Sequence, residues 1–257
     1  MKKTLITLLF LLSLCSIGLF AQGTKENTEN DKTIVIASNC EWPPLEFVDE
    51  NGEIAGFEID LLQEIEKEIG YTIEIKNVAW DGIFAGLANG AYDGVASGVS
   101  VTEERKATLN FSTTYLKVSQ AIISLANDSS PATNVSELEG KKVGVLIGST
   151  GDIMLQDIDL DVDIMSYDSI ALAVEDLLNG NLSAVVTDSV VAGEYVVSNK
   201  AYKGKLSVSG KSEDNIEPIA MAFKKNDSKT TDLINKGIKA LEENGKLEEL
   251  KAKWAIL

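Results

Sequence analysis

DGIFAGLANGAYDGVAS (residues 81–97) and DSIALAVEDLLNGNLSAVVT (residues 168–187) share one plan. In the first, Asp81 precedes a helical stretch, Gly82–Ala88, that stops at Asn89-Gly90, and a strand follows at Asp93–Ser97. In the second, Asp168-Ser169 caps Ile170–Leu178, Asn179-Gly180 stops it, and a strand follows at Ser183–Thr187. Glycine ends helices because it adopts the left-handed conformation at no steric cost. Gly90 and Ser97 lie seven positions apart, as do Gly180 and Thr187. The repetition predicts two similar α/β lobes, although a single helix-Asn-Gly-strand unit is common in any α/β protein.

The flanking sequence completes each lobe. Thr33–Ala37 is a β-branched apolar run, the pattern of a buried strand. Glu46–Val48, followed by Asp49-Glu50-Asn51-Gly52, predicts a short strand and a turn. Phe57, Ile59, Leu61, Leu62, Ile65 and Ile69 approximate a helical stripe that Gly70 stops, and Thr72–Ile75 is again strand-like. The second lobe opens with a strand at Lys141–Leu146, then Gly148-Ser149-Thr150-Gly151 and a helical stretch over Asp152–Gln156. Ser119–Leu125 and Pro218–Phe223 are the candidates for two crossings between lobes. A last helix, Thr231–Leu250, is interrupted at Asn244-Gly245, and Trp254 and Ile256 dock the tail. The expected division is 33–119 with 218–257 as lobe 1, and 120–217 as lobe 2.

Composition narrows the function. The 257 residues are 44% hydrophobic, enough for a sizeable core, and carry a net charge of -17. So acidic a chain is repelled by phosphate backbones and anionic lipid, which excludes nucleic acid as a partner. There is no histidine. That removes the commonest general base, the Ser-His and Cys-His pairs and the commonest transition-metal ligand. No metal or other cofactor is expected.

The N-terminus reads as a targeting segment. Lys2 and Lys3 precede an apolar run, Thr4–Phe20, with polar sequence from Gln22. Residues 1–21 are expected to be a signal peptide cut after Ala21, and 22–32 a polar tether. The rival is lipidation at Cys15, within Leu12-Ser13-Leu14-Cys15. After cleavage at Ala21 only Cys40 remains, read as a small apolar filler near a strand end.

Ligands of open α/β sheets bind beyond the carboxyl ends of the strands. Those ends hold Asn39 and Trp42; Trp80; Ser97, Gly98 and Ser100, with Arg105 just after; Gly148–Gly151; and Thr187-Asp188. Arginine grips a carboxylate by two parallel bonds, and a helix start also suits an anion. Aspartate suits an ammonium, and tryptophan faces suit an apolar side chain or a cation. Together these describe a zwitterionic α-amino acid. Each residue also has a plainer reading: Arg105 as a surface charge after Glu103-Glu104, Asp188 as the cap of the next helix, Trp42 as loop packing beside Pro43. Gly-Ser-Thr-Gly lacks the lysine and spacing of a phosphate loop.

Four stretches resemble family 3 of the bacterial extracellular solute-binding proteins, the polar amino-acid receptors of ABC importers. They are Gly56–Leu61; Trp80–Ile83 with Ser97–Arg105; Gly140–Val145 with Gly148–Thr150; and Ala184–Ser189. The resemblance implies an α/β periplasmic binding protein type II fold, with two lobes joined by two crossing strands and closing like a Venus flytrap. It implies that Arg105 holds the ligand carboxylate with Thr150. Asp188 pairs with the ammonium, helped by the Ser97 carbonyl and the Ser100 hydroxyl. Gly98 allows close backbone approach, and Trp42 and Trp80 sandwich the ligand. Asn39, where relatives for cationic ligands often carry Asp, and the apolar Leu146 favour a neutral polar or apolar amino acid, with Glu41 keeping a cationic ligand open.

The expected protein is a monomeric, non-enzymatic, periplasmic receptor that passes a free amino acid to an ABC permease in the inner membrane. Two rivals remain. A dehydratase on this scaffold could use Glu41 as its acid, though no acid-base pair is evident in the pocket set. A sensor subunit would need a partner, since no membrane or signalling segment follows the lobes.

Overall fold

The computed structural model describes residues 32–256. The leader, Cys15 and residues 22–31 of the expected tether lie outside the described residues.

The chain begins with β1 (Thr33–Ser38), whose alternate residues Ile34 and Ile36 are buried. A small antiparallel sheet follows: β2 (Glu41–Trp42), β3 (Glu46–Val48) and β4 (Ile54–Ala55). Helix α1 (Phe57–Ile69) buries Phe57, Ile59, Leu61, Leu62 and Ile65. Each such side chain contributes about 1.5–3 kcal/mol when fully removed from water. Next come β5 (Thr72–Asn77), α2 (Trp80–Asn89) and β6 (Gly94–Val95). A short helix, α3 (Glu103–Thr108), runs into β7 (Leu109–Phe111).

The chain then enters a second sheet through β8 (Leu116–Leu125). This region continues with β9 (Lys142–Leu146), α4 (Thr150–Asp157), β10 (Asp163–Tyr167), α5 (Ile170–Leu178), β11 (Ala184–Asp188) and α6 (Ser189–Gly193). Strand β12 (Leu206–Ile219) leads back to the first sheet and β13 (Ala222–Lys224). Helices α7 (Ser228–Glu243) and α8 (Lys246–Lys253) close the chain.

The two main sheets repeat one plan. Their orders are β5-β1-β6-β13-β7 and β10-β9-β11-β8-β12. In each, three strands run parallel and the next is antiparallel. The two helix-Asn-Gly-strand units occupy matching places, α2 to β6 and α5 to β11, with Gly90 at φ 79° and Gly180 at φ 77°. β11 is buried at every residue because helices cover both faces. Ala184 and Val186 join one cluster with Leu155 of α4; Val185 joins the other with Ala173, Val174 and Leu177 of α5.

Two details differ from the sequence reading. Helix α2 begins at Trp80, with Asp81 inside the first turn rather than ahead of it. Pro218–Phe223 is not one strand: β12 ends at Ile219 and β13 starts at Ala222. The gap is a crossing, and it is tied to the other crossing. Met221 N donates to Ser112 Oγ (3.0 Å), Ser112 N to Met221 O (2.9 Å) and Tyr115 N to Ile219 O (3.2 Å). The tail instead docks as expected: Trp254 Nε1 donates to Asp60 Oδ2 at 2.6 Å, and Ile256 is buried.

Candidate functional site

All ten residues picked from the sequence line one cavity: Asn39, Trp42, Trp80, Ser97, Gly98, Ser100, Arg105, Leu146, Thr150 and Asp188. Gln120, Ser149 and Thr187 join them. The cavity lies between the carboxyl ends of the two sheets. Glu41 is exposed and does not line it.

The first-sheet wall is set by backbone geometry. The Ser97 hydroxyl accepts from Asn39 N (2.9 Å) and donates to Glu46 Oε1 (2.9 Å). Gly98 sits at φ 55°, and a Cβ there would stand 3.1 Å from Trp42 Nε1. The left-handed backbone favours glycine here, and the close indole leaves little room for a side chain. Asn39 Nδ2 donates to Val78 O at 3.4 Å. Trp80 meets Phe84 edge-on at 5.3 Å.

Arg105 is not a surface charge. Thr102 caps α3 by accepting from Arg105 N (3.1 Å), which fixes the base of the side chain. Its guanidinium lies over the Trp80 and Phe84 rings, 5.7 and 5.2 Å from their centroids. Nη1 donates to Ser100 O (3.0 Å) and Nη2 to Gly148 O (3.4 Å), so the side chain reaches from the first sheet to the second. Both bonds are to neutral carbonyls. Burial lowers its pKa, and nearby Glu217 and Asp188 oppose that.

The second-sheet wall offers a helix start and a carboxylate. Ser149 caps α4 by accepting from Asp152 N (3.2 Å), which presents Thr150 at the first turn. Asp188 stands at the start of α6 but makes no cap bond. Its Oδ1 instead accepts from Gln120 Nε2 at 2.8 Å. The same amide nitrogen lies 3.0 Å from Glu217 Oε1 and 3.2 Å from Thr150 Oγ1. Burial and the Glu217 charge push the Asp188 carboxyl up to about 7, against the pull of Gln120, Trp42 and Arg105. Neither Arg105 nor Asp188 is ion-paired to another described residue. Thr187 Oγ1 and Gln120 Oε1 are buried without a hydrogen-bond partner.

Gln120 and Glu217 were not singled out in the sequence. Gln120 sits on β8, whose apolar pattern announces a sheet and not a site, and Glu217 sits on β12 in the polar, acidic run Ser212–Glu217, which reads as a solvated face. The available signal was a polar side chain at an inward position of β8, between Val118 and Ile122. Among the described residues no cluster of Cys, Asp or Glu is arranged to hold a metal. No described helix is long and apolar enough to cross a membrane.

Two sheet-containing lobes joined by paired crossings, with a cleft at their strand ends, define the type II periplasmic binding protein fold. The family description "bacterial extracellular solute-binding proteins, family 3" matches residues 34–256, and the chain belongs to that family. It is 32% identical over 226 residues to a probable histidine-binding protein of Neisseria gonorrhoeae, covering 87% of this chain and 83% of that one. It is 29% identical to the L-cystine-binding protein TcyJ of Escherichia coli, covering 93% and 89%. A solved structure of an ancestral arginine-binding protein bound to glutamine has a TM-score of 0.82 at 33% identity, covering 88% and 99%.

Proposed function

We propose that the cleft binds a free L-amino acid and that the protein delivers it to an ABC importer. The observation that carries this is a pair of opposite charges, Arg105 and Asp188, on facing walls of one enclosed cavity and ion-paired to nothing else described. A carboxylate fits Arg105 and the start of α4; an ammonium fits Asp188 and the Ser97 carbonyl. The lobes, expected as 33–119 with 218–257 and 120–217, are the closing bodies, and the hydrogen-bonded crossings that hinge them set their bounds at Ser112–Tyr115 and Ala220–Met221. A ligand that bridges them favours the closed population.

The ligand side chain meets Asn39, Trp42, Trp80 and Leu146. This wall carries no acidic group, and Glu41 points away. The unpartnered Thr187 Oγ1 and Gln120 Oε1 favour a polar ligand. A neutral polar amino acid, or an apolar one, fits best. The names of the relatives span histidine, cystine, arginine and glutamine, so an amino acid is common ground and side-chain charge is where this chain sets its own choice. The protein acts outside the cytoplasm, in the periplasm, after cleavage at Ala21 or anchored through Cys15, as a monomer that docks a permease. No enzymatic step is assigned.

Thermal unfolding against each common amino acid tests this. A ligand at about a hundred times its Kd stabilises by about 2.7 kcal/mol. A clear rise in Tm is expected with one or a few neutral L-amino acids. A rise with arginine or lysine alone would overturn the side-chain assignment, and no rise with any amino acid would overturn the proposal.

A further inference from the structure

A second pair of carboxyls lies behind the cleft. Glu46 on β3 and Glu58 in the first turn of α1 are both at 0% exposure. Around them are the Ser97–Gly98 turn, Tyr115 from the crossing before β8, Cys40 after β1, and Asp188 at the end of β11. No lysine or arginine among the described residues pairs with either carboxyl.

Each carboxyl spends one oxygen on the cleft wall. Glu46 Oε1 accepts from Ser97 Oγ (2.9 Å); Glu58 Oε1 accepts from Gly98 N (3.1 Å) and Tyr115 Oη (2.7 Å). The other oxygen of each, Oε2, is buried with no separate partner. The two side chains are within hydrogen-bonding reach of one another. Two buried carboxylates cannot both be ionised side by side without a cation. A single proton held between the two carboxyls relieves the repulsion.

We propose that Glu46 and Glu58 share one proton and act as positioning residues for the Ser97–Gly98 turn, holding the Ser97 carbonyl where the ligand ammonium docks and loosening it when that proton leaves. The pair reaches further through Ser97 Oγ, which also accepts from Asn39 N. One end of the cleft wall is thereby tied to the carboxyls. Burial raises both groups, Glu58 to about 7 and Glu46 well above the usual carboxylate range because the Glu58 charge adds to burial. Because the two sites interact, the protons leave the pair in two steps, and between those steps it holds a single proton.

This rests on the reading of the cleft as a ligand site, so the test includes arms free of ligand. Glu46→Gln keeps the shape, accepts from Ser97 and donates permanently to the Glu58 carboxylate. The folded protein holds a proton that the unfolded chain has released, so wild-type stability falls as pH rises through the upper titration of the pair. Urea unfolding from pH 7 to 10 should show a shallower fall for E46Q, and Glu58→Gln carries the same expectation if E46Q does not fold. The wild-type infrared spectrum at pH 8 should contain the C=O band of a buried protonated carboxyl.

In ligand titrations E46Q should match wild type within about threefold at pH 7. It should then exceed wild type by up to about tenfold per pH unit above the upper titration. The ligand's own amine titrates in both proteins and cancels. Equal stability slopes, or no infrared band in the wild type, overturn the shared proton. A band with no divergence in affinity overturns the positioning role. If no amino acid binds while the band and slopes behave as expected, the ligand reading fails and the shared proton stands.

Discussion

Arg105→Ala is expected to abolish ligand binding. Removing one partner of a buried charge pair costs about 3–5 kcal/mol, because the other charge is left buried and unpaired. That is a loss of about 100- to 5,000-fold in affinity. The effect should be large because the guanidinium is anchored from three sides: the Thr102 cap beneath it, the Trp80 and Phe84 rings against it, and the Ser100 and Gly148 carbonyls at its ends. Arg105→Lys keeps the charge but not the planar fork, and should recover only part of the loss. Isothermal titration measures both variants, with circular dichroism to show that they fold. Near-native affinity in Arg105→Ala would remove Arg105 from the site.

Asp188→Asn is expected to cost a comparable factor, and its effect should depend on pH. Without ligand the carboxyl is pushed up to about 7, raised first by burial and then by Glu217. An ammonium binds the ionised form. Above pH 7 wild-type affinity should be at its plateau. Below pH 7 binding must displace a proton, and affinity should fall by up to about tenfold per pH unit. The variant should lack that limb. Glu58 titrates close by, but it is present in both proteins, so their difference isolates Asp188.

Stability without ligand runs the opposite way. A raised carboxyl favours the folded state most when protonated, at pH below about 4. That contribution is lost as pH rises to about 7. Bound ligand should reverse this trend, since its ammonium stabilises the ionised carboxylate. A wild-type affinity that is flat from pH 5 to 8 would contradict the assignment of Asp188 to the ammonium.

The doubled helix-Asn-Gly-strand unit was legible because its signals are local: an apolar stripe, a stop at Asn-Gly and a β-branched run. These place α2 and α5, and β6 and β11, in equivalent positions of two sheets. The start of α2 was not legible. Asp81 has the chemistry of a cap, yet the helix begins at Trp80 with no side-chain cap bond at Ala79. The crossing at Ala220–Met221 was hidden for a different reason. Ile219–Phe223 is uniformly apolar, and the break there comes from hydrogen bonds to Ser112 and Val99.

The cavity residues were legible through the rule that ligands sit at strand ends, and through the family resemblance for Leu146 and for each role. What stayed hidden was the layer behind them. Gln120, Glu46 and Glu58 are polar residues inside apolar or amphipathic patterns, and Glu217 ends a polar, acidic run that reads as surface. Only the fold shows that Glu58 turns inward with Phe57 and Ile59 instead of outward. Burial of a carboxylate leaves no local signature, because its partners come from distant segments: Gly98 lies 40 residues from Glu58, and Tyr115 lies 57.

The most direct test of the central claim is a titration with the identified amino acid and two analogues, one lacking the α-ammonium and one lacking the α-carboxylate. If Arg105 and Asp188 grip opposite ends of one molecule, the intact amino acid binds and each analogue binds at least about 100-fold more weakly, since each leaves a buried charge unpaired. An analogue that binds as tightly as the parent would show that one of the two charges does not face the ligand, and the account of the cleft would fail.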